Sequence, residues 1–299
     1  MFTRLREMIR QRRCREKLYA TAEYWDGKAA AYSETSVSMW PNPVLNVHYD
    51  AEAKALLQTL LGESANLHIL DLGCGTGRFS RWFAARGARV TGTDFSRNAL
   101  AIAQQQTTGE NPAYRYGSVF HIEDKSEYDV VFTWGVLTIA CRSKEQLLQA
   151  LGEIRQALKP GGRLLLTEPV HRGLLHRVLD MSLPEFLAVV AESGFCVQKT
   201  IPLHFWPMRL CLAYIAWPGW LTTPLYHLGQ NLMRLPGLSG LGDYSIIVAR
   251  AVENEAGSVP PPPARSGVSV KKRIKFDASL REPRKILFAI FESVNSASC

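Results

Sequence analysis

The stretch His68-Ile-Leu-Asp-Leu-Gly-Cys-Gly-Thr-Gly-Arg-Phe-Ser80 constrains the fold of this chain more than any other. An apolar run passes into Gly73, Gly75 and Gly77, and a helical pattern follows at once. Glycines at such a junction admit positive φ and carry no side chain, so a ligand can lie directly against the backbone at a helix N-terminus. Asp94 closes the next apolar run, 21 residues beyond Gly73. An acid in that place can accept both hydroxyls of a ribose. Strand, glycine loop, helix and spaced acid together predict a nucleoside-cofactor site. The dinucleotide fingerprint G-x-G-x-x-G fits poorly, because its third glycine would fall at Arg78.

Between Asn66 and Arg250, short apolar runs alternate with helical patterns, which predicts an α/β domain with a mostly parallel sheet covered on both faces. Strands are expected over 67–72, 88–93, 114–117, 128–133, 163–167, 195–200 and 244–250. Helices are expected over 78–86, from a Ser96 cap to 105, and over 144–158. The last of these is followed by a turn at Lys159-Pro-Gly-Gly162. Ser182-Leu-Pro-Glu185 has capping-box spacing and opens a further helix that Gly194 closes. Residues 201–243 form an aromatic, Pro- and Gly-rich insertion before the last strand, and Val259-Pro-Pro-Pro-Pro263 reads as a linker. The expected organisation is a basic segment and lid over 1–44, a catalytic domain over 45–252, and a disordered linker and tail over 253–299.

The pattern D-x-G-x-G-x-G from Asp71 to Gly77 resembles the first motif of the class I S-adenosylmethionine-dependent methyltransferases. The resemblance covers about residues 45–250. Asp94 matches the family's ribose acid, Tyr128-Asp-Val-Val-Phe-Thr-Trp-Gly-Val-Leu137 its fourth-strand motif, and Leu158-Lys-Pro-Gly-Gly162 its following turn. Residues 183–197 look like its late helix and strand. The resemblance implies a Rossmann-like seven-stranded sheet and S-adenosyl-L-methionine as cofactor. It places Asp71, Gly73, Cys74, Gly75 and Gly77 at the methionine and ribose portions, Asp94 on the ribose and Phe95 on the adenine. Ser118 stands where the family often has an aspartate for the adenine amino group; its hydroxyl can accept that bond more weakly, shared with the Val119 amide. Trp134 borders the methionine end, as a cation–π surface or as simple packing. By the same resemblance, residues 24–32 fold over the cofactor as a lid.

Methyl transfer needs a base only when the nucleophile must lose a proton. His171, just past the fifth strand, is the first candidate, with Glu168, His204, His227, Asp243 and Tyr244 as further polar residues near the same edge. For each of them a satisfied or solvated side chain is the plain alternative. The aromatic turn Ser38-Met-Trp-Pro-Asn42 and the insertion, with Phe205-Trp-Pro207, Trp217-Pro-Gly-Trp220 and Tyr226-His227, can line a pocket for a small apolar or amphipathic acceptor. A core-filling subdomain or a dimer interface would use the same residues. An oxygen acceptor is favoured. Other classes consistent with such a fold are a nucleotide-dependent oxidoreductase and a non-catalytic adaptor.

The formal charge of +8 raises polyanions as partners. Its distribution argues otherwise. Residues 1–17 carry seven basic and two acidic residues, and 253–299 carry eight and five, which leaves 20 of each sign in between. The basic ends are therefore expected to tether a cytoplasmic protein peripherally to an anionic membrane surface. No nucleic-acid partner is expected, since the place of the Asn/Asp-Pro-Pro-aromatic motif reads Thr133-Trp-Gly-Val. The longest apolar run, 210–221, contains Pro218 and falls short of the roughly 20 residues a bilayer span needs. Six cysteines without a CxxC pair are expected to be reduced thiols, with no metal site.

Overall fold

The computed structural model describes residues 15–31 and 40–252. Residues 1–14, 32–39 and 253–299, which hold most of the basic N-terminal segment and all of the linker and tail, lie outside the described residues. So do the expectations placed on them.

Seven strands form one sheet: β1 His68–Leu72, β2 Arg89–Asp94, β3 Ala113–Tyr116, β4 Tyr128–Trp134, β5 Leu158–Glu168, β6 Phe195–Phe205 and β7 Gly242–Ala251. Their order is β3-β2-β1-β4-β5-β7-β6, with β7 antiparallel between β5 and β6 and the pairs from β3 to β5 parallel. This is the expected Rossmann-like α/β sheet. Chain order reverses between β1 and β4, and in open α/β sheets that switch point places the ligand crevice at the carboxyl ends of the strands.

The helices are α1 Ala22–Ala31, α2 Pro43–Leu61, α3 Arg78–Ala84, α4 Arg97–Gln105, α5 Leu137–Ala140, α6 Lys144–Ala157, α7 Leu183–Glu192, α8 Trp206–Leu212 and α9 Gly219–Met233. Strand alternation divides the core in two. Leu164 and Leu166 of β5 join Leu147, Leu151 and Ile154 of α6 on one face. Leu165 points to the other face, with Phe79 and Phe83 of α3 and Leu45, Tyr49 and Leu57 of α2. The capping chemistry behaves as the residues dictate. Ser143 accepts from the Gln146 amide at the start of α6, and Ser182 and Glu185 form a reciprocal capping box at α7. Gly194, at φ +82°, turns the chain from α7 into β6.

Three differences from the sequence reading have physical reasons. The turn at 159–162 is a bulge within β5: β4 pairs Tyr128 with Leu158 and then Val130 with Arg163. β6 continues to Phe205 through Pro202, which an edge strand tolerates because its missing N–H faces away from the ladder. The insertion proper therefore begins at α8. Helix α2 carries Leu45, Tyr49, Ala53, Leu57 and Leu61 at intervals of four, started by Asn42 as N-cap and Pro43 in the first turn, and it precedes Asn66, where the strand–helix alternation starts. Among the described residues Cys74, Cys141 and Cys211 are free thiols.

No helix among the described residues is long and apolar enough to cross a membrane. The two-sided core makes a specific demand on Phe132, which is fully buried between Phe79 (4.9 Å between ring centroids) and Phe83 (5.3 Å). Phe132→Ala should lower the unfolding free energy by about 3–5 kcal/mol, measured by urea denaturation.

Candidate functional site

The turn from β1 to α3 is held from β2. The Thr93 carbonyl accepts the amides of Gly73 and Cys74 at 2.7 and 2.9 Å, and Asp94 Oδ2 accepts the Gly75 amide at 2.8 Å. Gly73, Gly75 and Gly77 all have positive φ. A Cβ on Gly73 would fall 2.5 Å from Val136, and one on Gly77 would fall 2.3 Å from the Tyr114 hydroxyl, so protein surrounds both ends of the loop. At Gly75 a Cβ would meet nothing within 4 Å, so the loop's centre faces open space. Asp94 Oδ1 accepts the Ser96 amide at 2.8 Å, and each carboxylate oxygen keeps a further lone pair. Burial raises its pKa while the amides of Ser96, Gly75 and Phe95 oppose the rise. Phe95 is half-buried beside it. A nucleoside fits here, with backbone at the loop and a bidentate acceptor one strand away.

The remaining expected contacts are distributed unevenly. Asp71 is buried beneath the loop and accepts from Ser80 Oγ at 2.5 Å, so it fixes the start of α3 from below. Cys74 turns its thiol inward, buried near Gly92. Ser118 is exposed and its hydroxyl accepts the Phe120 amide at 3.2 Å; Val119 is half-buried beside it. Trp134 stacks on Tyr244 (5.3 Å, 28°) and packs against Phe79 (4.9 Å), with the Arg78 guanidinium 5.2 Å from its ring centre. Arg78 in turn pairs with Asp50 of α2 at 2.5 Å. Within the segment expected as a lid, Asp26 of α1 accepts from the Ser96 hydroxyl and from the Asn98 amide at the start of α4.

Glu168, at the end of β5, is fully committed to structure. Its carboxylate accepts five bonds, from the Thr133 hydroxyl, the Val136 and Leu137 amides, and the Thr138 amide and hydroxyl, at 2.8–3.1 Å. It thereby fixes the loop that follows Trp134. His171 lies nearby with Nε2 2.8 Å from the Asp243 carbonyl oxygen, and burial lowers its pKa. Asp243 is buried and paired with Arg209 Nε at 2.9 Å.

Two residues that sequence reasoning missed complete the edge. Gly92, inside β2, seats the Tyr114 ring: a Cβ there would fall 2.7 Å from it. A glycine within a strand pattern is the signal that could have found it. Glu52 of α2 lies 3.2 Å from His204 Nδ1 at the end of β6, a pairing no local pattern announces. Eight buried side-chain atoms have no hydrogen-bond partner among the described residues; three, Trp40 Nε1, Arg209 Nε and Gln230 Nε2, lie elsewhere, and the other five are Thr93 Oγ1, Trp134 Nε1, Thr167 Oγ1, His204 Nε2 and Asp243 Oδ1. All five belong to residues at one edge of the sheet, at the ends of β2, β4, β5 and β6 and the start of β7. Buried polar groups are ordinarily satisfied, so this edge is where a bound molecule would supply partners.

Asp71 gives the site a measurable pH signature. Burial pushes its pKa up from 3.8 to about 6, against the Ser80 bond. A carboxyl whose pKa is raised on folding binds its proton more tightly in the fold, so its contribution favours folding at acid pH and is lost as pH climbs from 3.8 towards 6. Relative to Asp71→Asn, the natural chain should lose about 1.4 kcal/mol of stability per pH unit across that window and hold level above it, measured by denaturant unfolding at stepped pH.

Residues 69–162 match the family model described as a methyltransferase domain. A methyltransferase, GfsG, of Streptomyces halstedii is 29% identical over 172 residues, which are 54% of this chain and 56% of that protein. A demethylmenaquinone methyltransferase of Tropheryma whipplei is 32% identical over 145 residues, covering 48% of this chain and 56% of that one. The chain thus spans about half the length of the curated relatives it matches. An S-adenosylmethionine-dependent methyltransferase structure from Mesorhizobium loti superposes with a TM-score of 0.50 at 19% identity, covering 66% of this chain and 96% of that one, and shares the fold. With the glycine loop, its strand-end acid and the sheet order in place, residues 69–162 are those of a methyltransferase domain on a Rossmann-like fold.

Proposed function

We propose that this chain moves a methyl group from S-adenosylmethionine to an oxygen of a small apolar or amphipathic acceptor. The observation that carries the donor half is Asp94: tied to the Gly75 amide, it still has carboxylate lone pairs beside the open centre of the loop. When bound, the cofactor supplies an electrophilic methyl on a positively charged sulfur. The chain's own residues then bind and orient. Gly73 to Gly77 offer backbone, Asp94 accepts the ribose hydroxyls, Phe95 and Val119 flank the base with Ser118 beyond, and Trp134 walls the methionine end. Excluding water and fixing the approach of the acceptor supply much of the rate in such a displacement.

The acceptor half rests on the aromatic edge. Trp134, Tyr244, His204, Tyr49 and Tyr226 make a continuous row from β4 to α9. The insertion above it exposes Trp220 at 78%, with Ile215 and Leu235. Such surface suits a molecule with an apolar body and one polar handle. The Tropheryma whipplei relative is named for an acceptor of that kind, demethylmenaquinone. The basic ends fit the same picture, bringing the chain to an anionic membrane where such acceptors concentrate.

Asp94→Ala should weaken S-adenosylhomocysteine binding by about 100-fold, as two charge-assisted bonds are lost. Isothermal titration measures it, and an unchanged affinity would remove the donor assignment. The acceptor class is tested by incubating the chain with methyl-labelled S-adenosylmethionine and a cell extract. Label should enter the organic-soluble fraction. Label confined to protein or RNA would refute the small-molecule reading.

A further inference from the structure

His204 is a strained, buried and half-satisfied side chain at the site's edge. Its φ of +59° is a left-handed conformation that residues other than glycine seldom adopt. The ring has no exposure and stacks on Tyr49, with centroids 3.5 Å apart and planes 20° from parallel. Nδ1 lies 3.2 Å from Glu52 Oε2 and 3.2 Å from the Tyr226 hydroxyl oxygen. The Tyr226 hydroxyl donates to Glu52, so both neighbours of Nδ1 present acceptors to it. The proton therefore belongs on Nδ1, and Nε2 keeps its lone pair. Nε2 is buried without a partner among the described residues, and the ring sits 6.5 Å from Trp134 and 6.2 Å from Tyr244.

We propose that His204 is the general base of this site and that Glu52 is its positioning residue. This rests on the methyl-transfer reading above. As a lone pair of the acceptor oxygen bonds the methyl carbon, the carbon–sulfur bonding pair stays on sulfur and the hydroxyl proton passes to His204 Nε2. The imidazolium so formed is stabilised by Glu52 through Nδ1–H. The Nε2 proton is given up from Nε2 itself as the methylated product leaves and water enters, which restores the Nδ1–H form; Glu52, which also lines a cavity of about 460 Å³ with His48, His227 and Arg234, keeps its place on Nδ1 throughout. The groups facing His204 are Tyr49 and Glu52 from α2, Tyr226 from α9, Asp243 and Tyr244 from β7, and Arg78 from α3. Burial and Arg78 lower its pKa and Glu52 and Asp243 oppose them, with a net lowering that leaves the ring neutral and able to accept a proton near pH 7. His171 has less to recommend it. Its Nε2 donates to the neutral Asp243 carbonyl oxygen rather than to a carboxylate, the nearest carboxylate oxygen standing 3.9 Å away, so no close counter-charge would stabilise its imidazolium.

The test uses the full chain with three readouts. By isothermal titration, His204→Gln and Glu52→Gln should bind S-adenosylhomocysteine as the natural chain does. In label transfer to the organic fraction of the extract, His204→Gln should fall by about 100-fold or more. Glu52→Gln should shift the acid limb of the pH–rate profile downward, because the carboxylate that raises the imidazole pKa is gone, and Glu52→Asp should move it back. A residue that merely supports the fold would not move that limb. Nitrogen NMR of the unsubstituted chain should show His204 protonated at Nδ1 only, a readout independent of turnover and of how the variants fold. A proton on Nε2, near-normal transfer by His204→Gln, or a large loss in His171→Gln alone would overturn the proposal. Failure of the natural chain to bind S-adenosylhomocysteine would instead bring down the methyl-transfer reading beneath it.

Discussion

The grip of β2 on the β1–α3 turn is the constraint on which the rest of the structure depends. One carbonyl, Thr93, takes two consecutive amides, and the next residue's carboxylate takes a third. That arrangement is possible only if β1 and β2 are parallel neighbours in register, Leu72 opposite Thr93, and if three glycines let the loop curl back to meet it. Helix α3 then starts at the loop, and its Phe79 and Phe83 anchor one whole face of the core. The ligand-binding edge and the hydrophobic core are thus set by the same few backbone bonds.

Two strand-end carboxylates show how similar residues acquire different work. Asp94 spends its oxygens on backbone amides but keeps acceptor capacity facing open space. Glu168 spends everything on five donors of the neighbouring loop. A buried carboxylate without those donors would carry a desolvation cost of several kcal/mol, so the bonds are a condition of its being there at all. Position in the chain made both look like site residues. The number of donors each one meets separates them.

That contrast marks what was legible in the residues. The glycine loop, Asp94, the Ser143 cap and the Ser182–Glu185 box obey rules that act over a few positions, and they stand where expected. The strand count and the two-faced core follow from apolar alternation. What escaped was set at a distance. The continuation of β6 through Pro202 depends on its pairing with β7, and α2 is fixed by contacts with α9 and the sheet. The approach of Glu52 to His204 joins residues separated by half the chain. Asp71 was legible as part of the motif but not in its manner of acting, because only the fold reveals that it lies under the loop, on Ser80.

The closing pair Phe205 and Gly242 has a consequence for how such a chain can diversify. These residues face each other across β6 and β7, so α8 and α9 emerge from two adjacent, hydrogen-bonded stems. The segment between the stems can vary without altering the register of the sheet, as long as the buried contacts that Leu212, Ala213 and Tyr226 make in the core shared with α2 are kept. A descendant could therefore acquire a new substrate by exchanging one contiguous segment of gene, while inheriting its donor chemistry intact.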